Sequence, residues 1–149
     1  MRQVRSCKRQ KSILSWVIMS NLKNKSEINI ESAQMLQDKC YYPSVIHCAY
    51  YSCVQYMKYI AINKLNKTNE QIEQERVAEG KGTHQYLINL FTLEFQSETR
   101  EKKNTFKEIK NLKKLREKAD YSDFGIGHEE GRDSISMAKT IVALLKGKF

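Results

Sequence analysis

One arginine stands where the pattern of apolar residues predicts a buried side chain. Leu112, Arg116 and Ala119 follow the three- and four-residue spacing that places side chains on one face of an α-helix. A guanidinium stays charged and carries five N–H donors, so on a buried face it needs a carboxylate, carbonyl oxygens, a phosphate or polar groups of another subunit. The spacing therefore predicts either a phosphate or RNA contact at Arg116 or an internal ion pair, with Asp120 or Asp123 as the partner.

Two further side chains close to Arg116 in the chain could move protons. Tyr121 lies five residues after Arg116; its hydroxyl, with a pKa near 10, is a poorer base at neutral pH than an imidazole near 6.5. His128 follows Gly125 and Gly127, whose conformational freedom would let the chain turn back toward Arg116. The candidate catalytic residues are therefore Arg116, Tyr121 and His128.

A pair of tyrosines and a row of lysines could bind a ligand beside Arg116. Adjacent residues on a helix point about 100° apart, so one of the two tyrosines should face the bundle and the other a neighbouring element or subunit. Residues 100–118 contain nine basic and three acidic side chains, which indicates an RNA-phosphate contact, a site for an acidic partner or a solvated helix face. The predicted binding residues are Arg116, Asp120, Tyr50, Tyr51, Lys110 and Lys114.

The other histidines and the cysteines are predicted to be structural. His84 lies on the apolar face of its helix, where a carbonyl or carboxylate would satisfy it. His47, Cys48 and Cys53 do not converge on one point of a helix, so neither a metal site nor a cofactor is predicted. Four cysteines without CxxC spacing indicate reduced thiols in a cytoplasmic protein.

Length and charge indicate one domain preceded by a basic extension. The chain has 149 residues and a net charge of +9. Residues 1–25 carry seven basic side chains and no acid, whereas residues 26–149 carry 19 basic and 17 acidic ones. The prediction is an N-terminal extension over 1–25 and a nearly neutral folded domain over 26–149. The apolar run at 13–19 is too short for a membrane span and lacks a signal-peptide cleavage site.

Helical spacing recurs throughout the folded part, and the chain has a single proline and no alternating β pattern, which predicts an all-α protein. Residues 66–82 read as a loop or frayed short helix and 96–104 as a connector. The second helix has apolar residues on more than one face and should be central. Together these patterns predict an antiparallel four- to five-helix bundle. The predicted helices cover about 29–40, 43–65, 83–95, 105–121 and 129–146.

Several short motifs follow one another in a particular order along the chain. They are Tyr41-Tyr42-Pro43, Cys48-Ala49-Tyr50-Tyr51-Ser52, His84 before Leu90-Phe91, and Leu115-Arg116-Glu117-Lys118-Ala119-Asp120-Tyr121. Their order resembles the HEPN superfamily of prokaryotic helical bundles, in the branch with an Ala-Tyr-Tyr motif and an Arg-x-x-Ala-Asp-Tyr motif, and the resemblance covers about residues 26–146. It implies a bundle that commonly forms dimers, from genes that often lie beside a minimal nucleotidyltransferase. It also implies a role in toxin-antitoxin, phage-defence or RNA-processing systems, where many members are metal-independent ribonucleases with an Arg-x4-His motif.

Two departures from that pattern change the expected function. Tyr121 stands where the nuclease motif has histidine, and Cys48 stands where the branch has arginine. Loss of the imidazole favours binding of RNA or a nucleotide at Arg116 over efficient cleavage. The alternatives are a metal-independent ribonuclease effector and a non-catalytic dimeric scaffold for a nucleotidyltransferase. The resemblance also makes Tyr121 a possible nucleotidylation acceptor.

Overall fold

The computed structural model describes residues 21–149, and this part of the chain contains six α-helices and no strand. The all-α bundle predicted from the sequence is confirmed. The short turn between the first two helices makes them antiparallel neighbours. The helices are α1 (Asn21–Asp38), α2 (Tyr42–Asn63), α3 (Asn69–Ala78), α4 (Thr83–Glu94), α5 (Arg100–Tyr121) and α6 (His128–Lys148).

Helix α2 is the central helix, as its apolar pattern predicts. It packs against α1, α4, α5 and α6. Tyr50, Met57 and Ile60 are almost completely buried. Pro43 lies in the first turn of α2, where its missing N–H costs no hydrogen bond. The inward-facing side chains of α2 are therefore placed against several other helices at once.

Helix α1 begins earlier than the sequence indicates. The prediction started it at residue 29 and assigned residues 21–25 to the extension, whereas the helix begins at Asn21. The first turns are polar and show no apolar spacing, but Ser26 is buried and donates a hydrogen bond to the Ser52 carbonyl (2.7 Å). A tertiary contact thus fixes a turn that local pattern does not predict. The predicted extension over residues 1–20 lies outside the described residues.

Residues 66–82, predicted as a loop or a frayed short helix, contain helix α3, and the last residues of the predicted connector over 96–104 belong to helix α5. Helix α3 starts with a capping box in which Thr68 and Gln71 satisfy each other's backbone N–H groups, and Ile72 anchors the helix in the core. Helix α5 starts at Arg100 rather than near residue 105, because the Thr99 hydroxyl caps it. The first turns of α3 and α5 consist mainly of polar and charged residues, so the apolar spacing of the sequence does not indicate where these helices begin.

Glu130 of α6 ties the loop between α5 and α6 to both helices. Helix α5 ends at Tyr121, as predicted, and Gly127 is the N-cap of α6. Glu130 accepts a hydrogen bond from the Gly127 N–H and one from Lys118 of α5, both at 2.8 Å.

None of the helices within residues 21–149 has an apolar stretch long enough to cross a bilayer.

Candidate functional site

Arg116 lies on the inward face of α5, as predicted, in line with the fully buried Leu112. Its side chain is 12% exposed, and its guanidinium carbon lies 5.1 Å from the centroid of the Tyr50 ring. Nη1 donates to Asp120 Oδ2 at 3.4 Å, so the predicted internal partner is Asp120. Nε is buried without a hydrogen-bond partner among the described residues. The guanidinium therefore keeps donor capacity that this part of the protein does not use.

Asp120 joins Arg116 to a histidine of another helix. Its Oδ1 lies 3.4 Å from His47 Nδ1, while its Oδ2 accepts from Arg116. His47 belongs to α2 and is 73 residues away in the chain. One carboxylate consequently holds a guanidinium and an imidazole side by side.

Aromatic rings extend this arrangement across α2 and α4. The His47 ring stacks on Tyr51 with centroids 4.5 Å apart, and Tyr51 meets His84 edge-on at 5.3 Å. The Tyr50 hydroxyl lies 3.3 Å from His84 Nδ1. Both tyrosines thus contact the site, Tyr50 buried beneath Arg116 and Tyr51 between two imidazoles. We call this group the Arg116 cluster; it consists of His47, Tyr50, Tyr51, His84, Arg116 and Asp120.

Burial shifts the pKa values of two groups in the cluster. It raises the pKa of Tyr50 to about 12, although the Arg116 charge opposes the rise, so the hydroxyl stays protonated. Burial, with the nearby charges of Arg116 and Lys113, lowers the pKa of His84, which favours the neutral ring. Burial by itself would lower the pKa of Arg116. The hydrogen bond to Asp120 and the neighbouring tyrosines outweigh this effect, so the pKa is raised.

A cavity opens beside the cluster at the junction of α2 and α5. Its volume is about 330 Å³, and it gives a ligand access to the imidazole and carboxylate side of the cluster. Cys48, at the position where the resembling branch has arginine, forms part of its wall. No group of three or more His, Cys, Asp or Glu side chains suited to a metal occurs within residues 21–149. The cavity is lined by Pro43, Ser44, His47, Cys48 and Asp120.

Two of the predicted catalytic residues lie away from the cluster. Tyr121 is 80% exposed at the end of α5. His128 begins α6, where its ring contacts Tyr42 at 5.8 Å and its carbonyl accepts from Gln37 (3.1 Å). Among the described residues no hydrogen bond joins either side chain to Arg116: five residues along α5 turn Tyr121 to another face of the helix, and the loop continues directly into α6 instead of bringing His128 back.

The predicted lysines also lie outside the cluster. Lys110 and Lys114 project from the exposed face of α5, and Lys110 lines a separate depression of about 560 Å³ next to α3 and α4. Lys113 lies beside the cluster: its Nζ donates to Gln85 Oε1 at 2.8 Å, and its charge acts on the adjacent His84. The lysine row and the Arg116 cluster are thus separate features of one helix.

The sequence interpretation missed both histidines of the cluster. His84 is satisfied by a tyrosine hydroxyl rather than by the predicted carbonyl or carboxylate. His47 and Tyr51 are four residues apart on α2, and this spacing indicates that the two rings share a face. No local pattern indicates that Asp120 would meet His47.

The fold and the cluster define an all-helical bundle with a largely buried arginine, histidines and tyrosines at the junction of three helices. A family model described as HEPN domain matches residues 19–148. The chain therefore belongs to the HEPN family, as its motifs indicate. Neither the curated proteins nor the solved structures include a significant match to it.

Proposed function

We propose that the chain binds the phosphate of RNA or of a nucleotide at the Arg116 cluster. The observation that carries this proposal is the state of Arg116: within residues 21–149 its largely buried guanidinium has one hydrogen bond, of 3.4 Å, and its Nε has no partner. A buried guanidinium with donors to spare can accommodate an anion, and phosphate suits its planar, forked geometry. Membership of the HEPN family, whose roles are generally ribonucleolytic or nucleotide-binding, supports the choice of ligand.

The test is fluorescence anisotropy with a labelled single-stranded RNA dodecamer and, separately, a labelled ATP analogue. Hydrogen bonds to charged groups contribute about 1.5–3 kcal/mol, so Arg116→Ala should weaken binding roughly tenfold to a hundredfold. Arg132→Ala is the matched control, because that arginine is exposed and paired only with its neighbour Asp133. Equal affinities for wild type and a folded Arg116→Ala variant would contradict the proposal.

A second function, a non-catalytic scaffold, is favoured by the ion pair that Arg116 forms with Asp120. In that case Arg116 stabilises the bundle and contacts no ligand. Arg116→Ala would then lower the midpoint of urea unfolding. Its affinity for RNA and for the nucleotide would equal that of the wild type. The two measurements together separate the two functions.

We also propose that the protein acts as a homodimer in a toxin-antitoxin or phage-defence module with a minimal nucleotidyltransferase. Family membership supports this proposal. The exposure of Tyr121 and Phe124, 80% and 79%, makes the end of α5 accessible to a second subunit or to a modifying enzyme. Light scattering tests the dimer, and intact mass after incubation with the neighbouring enzyme and ATP tests nucleotidylation of Tyr121.

A further inference from the structure

His47 is the exposed imidazole of the Arg116 cluster. Its side chain is 48% exposed and forms part of the wall of the 330 Å³ cavity. The stack on Tyr51 and the contact of Nδ1 with Asp120 hold the ring in one orientation. An imidazole that is accessible, oriented by a carboxylate and close to a guanidinium has the three properties that general-base chemistry on a phosphate ester requires.

The contact with Asp120 selects the tautomer of His47. When Nδ1 carries the hydrogen and donates it to the carboxylate, Nε2 keeps its lone pair and is free to accept a proton. The same carboxylate holds Arg116 through its other oxygen. The base and the phosphate-binding group are therefore fixed relative to each other by Asp120.

His84 is less suited to this role. Its ring is half-buried, and its Nδ1 is engaged by the Tyr50 hydroxyl. It meets the Tyr51 ring edge-on, whereas His47 stacks on that ring, and it does not line the cavity. Among residues 21–149 His47 is therefore the imidazole that lines the cavity and contacts the carboxylate paired with Arg116.

We propose that His47 is the general base of an RNA-cleaving site, with Asp120 as its positioning residue and Arg116 as the phosphate contact. This inference rests on the proposed phosphate binding at Arg116. Sequence alone favours binding without cleavage because position 121 is tyrosine. The fold supplies an imidazole from α2 instead, so the missing histidine of α5 does not exclude proton transfer.

The reaction that fits these groups uses the ribose hydroxyl as nucleophile. His47 Nε2 takes the proton of the 2′-hydroxyl, the 2′-oxygen forms a bond to phosphorus, and the bond between phosphorus and the 5′-oxygen breaks. The leaving 5′-oxygen takes a proton from water, and a second water molecule later recovers the proton from His47. Arg116 balances the negative charge that develops on the phosphoryl oxygens. The products are a 2′,3′-cyclic phosphate and a 5′-hydroxyl, so DNA is not a substrate.

The experiment uses a DNA oligonucleotide with one internal ribonucleotide, a fluorophore and a quencher, in buffer with EDTA. The wild type should cut at the ribonucleotide and leave a cyclic phosphate that mass spectrometry identifies. His47→Ala should lower the rate by roughly a hundredfold or more, the usual contribution of a general base, and added imidazole should restore part of it. Asp120→Asn should also lower the rate, but imidazole should not restore it, because the His47 ring still occupies the site and only its orientation is lost.

The controls separate this inference from the proposed binding. Asn63→Ala, on the exposed surface of the same helix α2, should cut at the wild-type rate. His47→Ala should keep the wild-type melting temperature and bind an uncleavable 2′-O-methyl version of the oligonucleotide. Arg116-dependent binding without any cleavage would overturn the general-base assignment and leave the proposed binding intact. Cleavage unaffected in His47→Ala would overturn it as well, whereas absence of Arg116-dependent binding would overturn both proposals.

Discussion

Asp120 holds two side chains that come from different helices, Arg116 of α5 and His47 of α2. A carboxylate shared in this way is held by both helices and in turn restrains both partners. Tyr50 closes the inner side of the arrangement, because its ring lies under the guanidinium and its hydroxyl fixes His84. Each polar group of the cluster thus restrains the next, which favours one geometry for Arg116.

The lowered pKa of His84 predicts a stability that decreases in mild acid. The folded protein resists protonating His84, whereas the unfolded chain accepts the proton near the ordinary value of about 6.5. The free energy of unfolding should therefore be highest above about pH 6.5 and fall as the pH drops below it. Urea unfolding of wild type and His84→Gln at about pH 7.5 and about pH 5.5 measures this, and the variant should lose less stability than the wild type. Equal losses would show that His84 is not the group responsible.

Close approach of helices α1 and α6 depends on one glycine. Gly131 faces Gln37, and a Cβ at this position would overlap with Gln37 Oε1 and lie 3.3 Å from Tyr42 Cδ1. Gln37 is buried and donates to the His128 carbonyl at 3.1 Å, so the start of α6 is fixed through the same side chain. The loop that follows Asp120 is thereby anchored at its far end.

Gly131→Ala should displace Gln37 and break its hydrogen bond, with a net loss of about 0.5–2 kcal/mol in the free energy of unfolding once the better helix propensity of alanine is included. Gly147→Ala is the matched control, since no described atom beyond the local helix backbone lies within 4 Å of an added Cβ there. That control lies in the last turn of α6 and should leave the free energy of unfolding unchanged or slightly raised, because alanine is the better helix former. Urea unfolding measures both, and a stabilised Gly131→Ala variant would contradict the close packing described here.

The whole molecule presents two different faces of α5 to a ligand. The inward face carries Arg116, and the outward face carries the lysine row, which consists of the exposed Lys107, Lys110 and Lys114. Four of the nine basic residues of the helix have carboxylate partners within residues 21–149, and none of these four belongs to the lysine row. The partnered ones are Lys102, Lys113, Arg116 and Lys118.

If RNA contacts both faces, removal of the outward charges should change the salt dependence of binding more than its specificity. Lys110→Gln combined with Lys114→Gln should make the slope of log K against log salt concentration less steep by about 0.7 for each phosphate that these lysines neutralise in the wild type. Lys23→Gln combined with Lys25→Gln on α1 makes the same change of charge and should leave the slope at the wild-type value. Identical slopes for both double variants would identify the lysine row as a solvated face.

The all-helical class, the central position of α2 and the inward orientation of Arg116 follow from the sequence, because the 3.6-residue period is a property of the local chain. The beginnings of α1, α3 and α5 do not, since capping side chains and a buried serine extend helices into polar segments. Asp120 was predictable as a partner of Arg116, being one turn away on the same helix.

The histidine that completes the site depends on how the helices pack. His47 and Asp120 meet across 73 residues, and no spacing within either helix encodes the distance between α2 and α5. Tyr121 and His128, nearer to Arg116 in the chain, point elsewhere because helical rotation and the start of α6 direct them away. The helical period of the sequence predicted the position of Arg116, and the one-turn spacing predicted its partner Asp120. The packing of α2 against α5 determined which imidazole lies beside them.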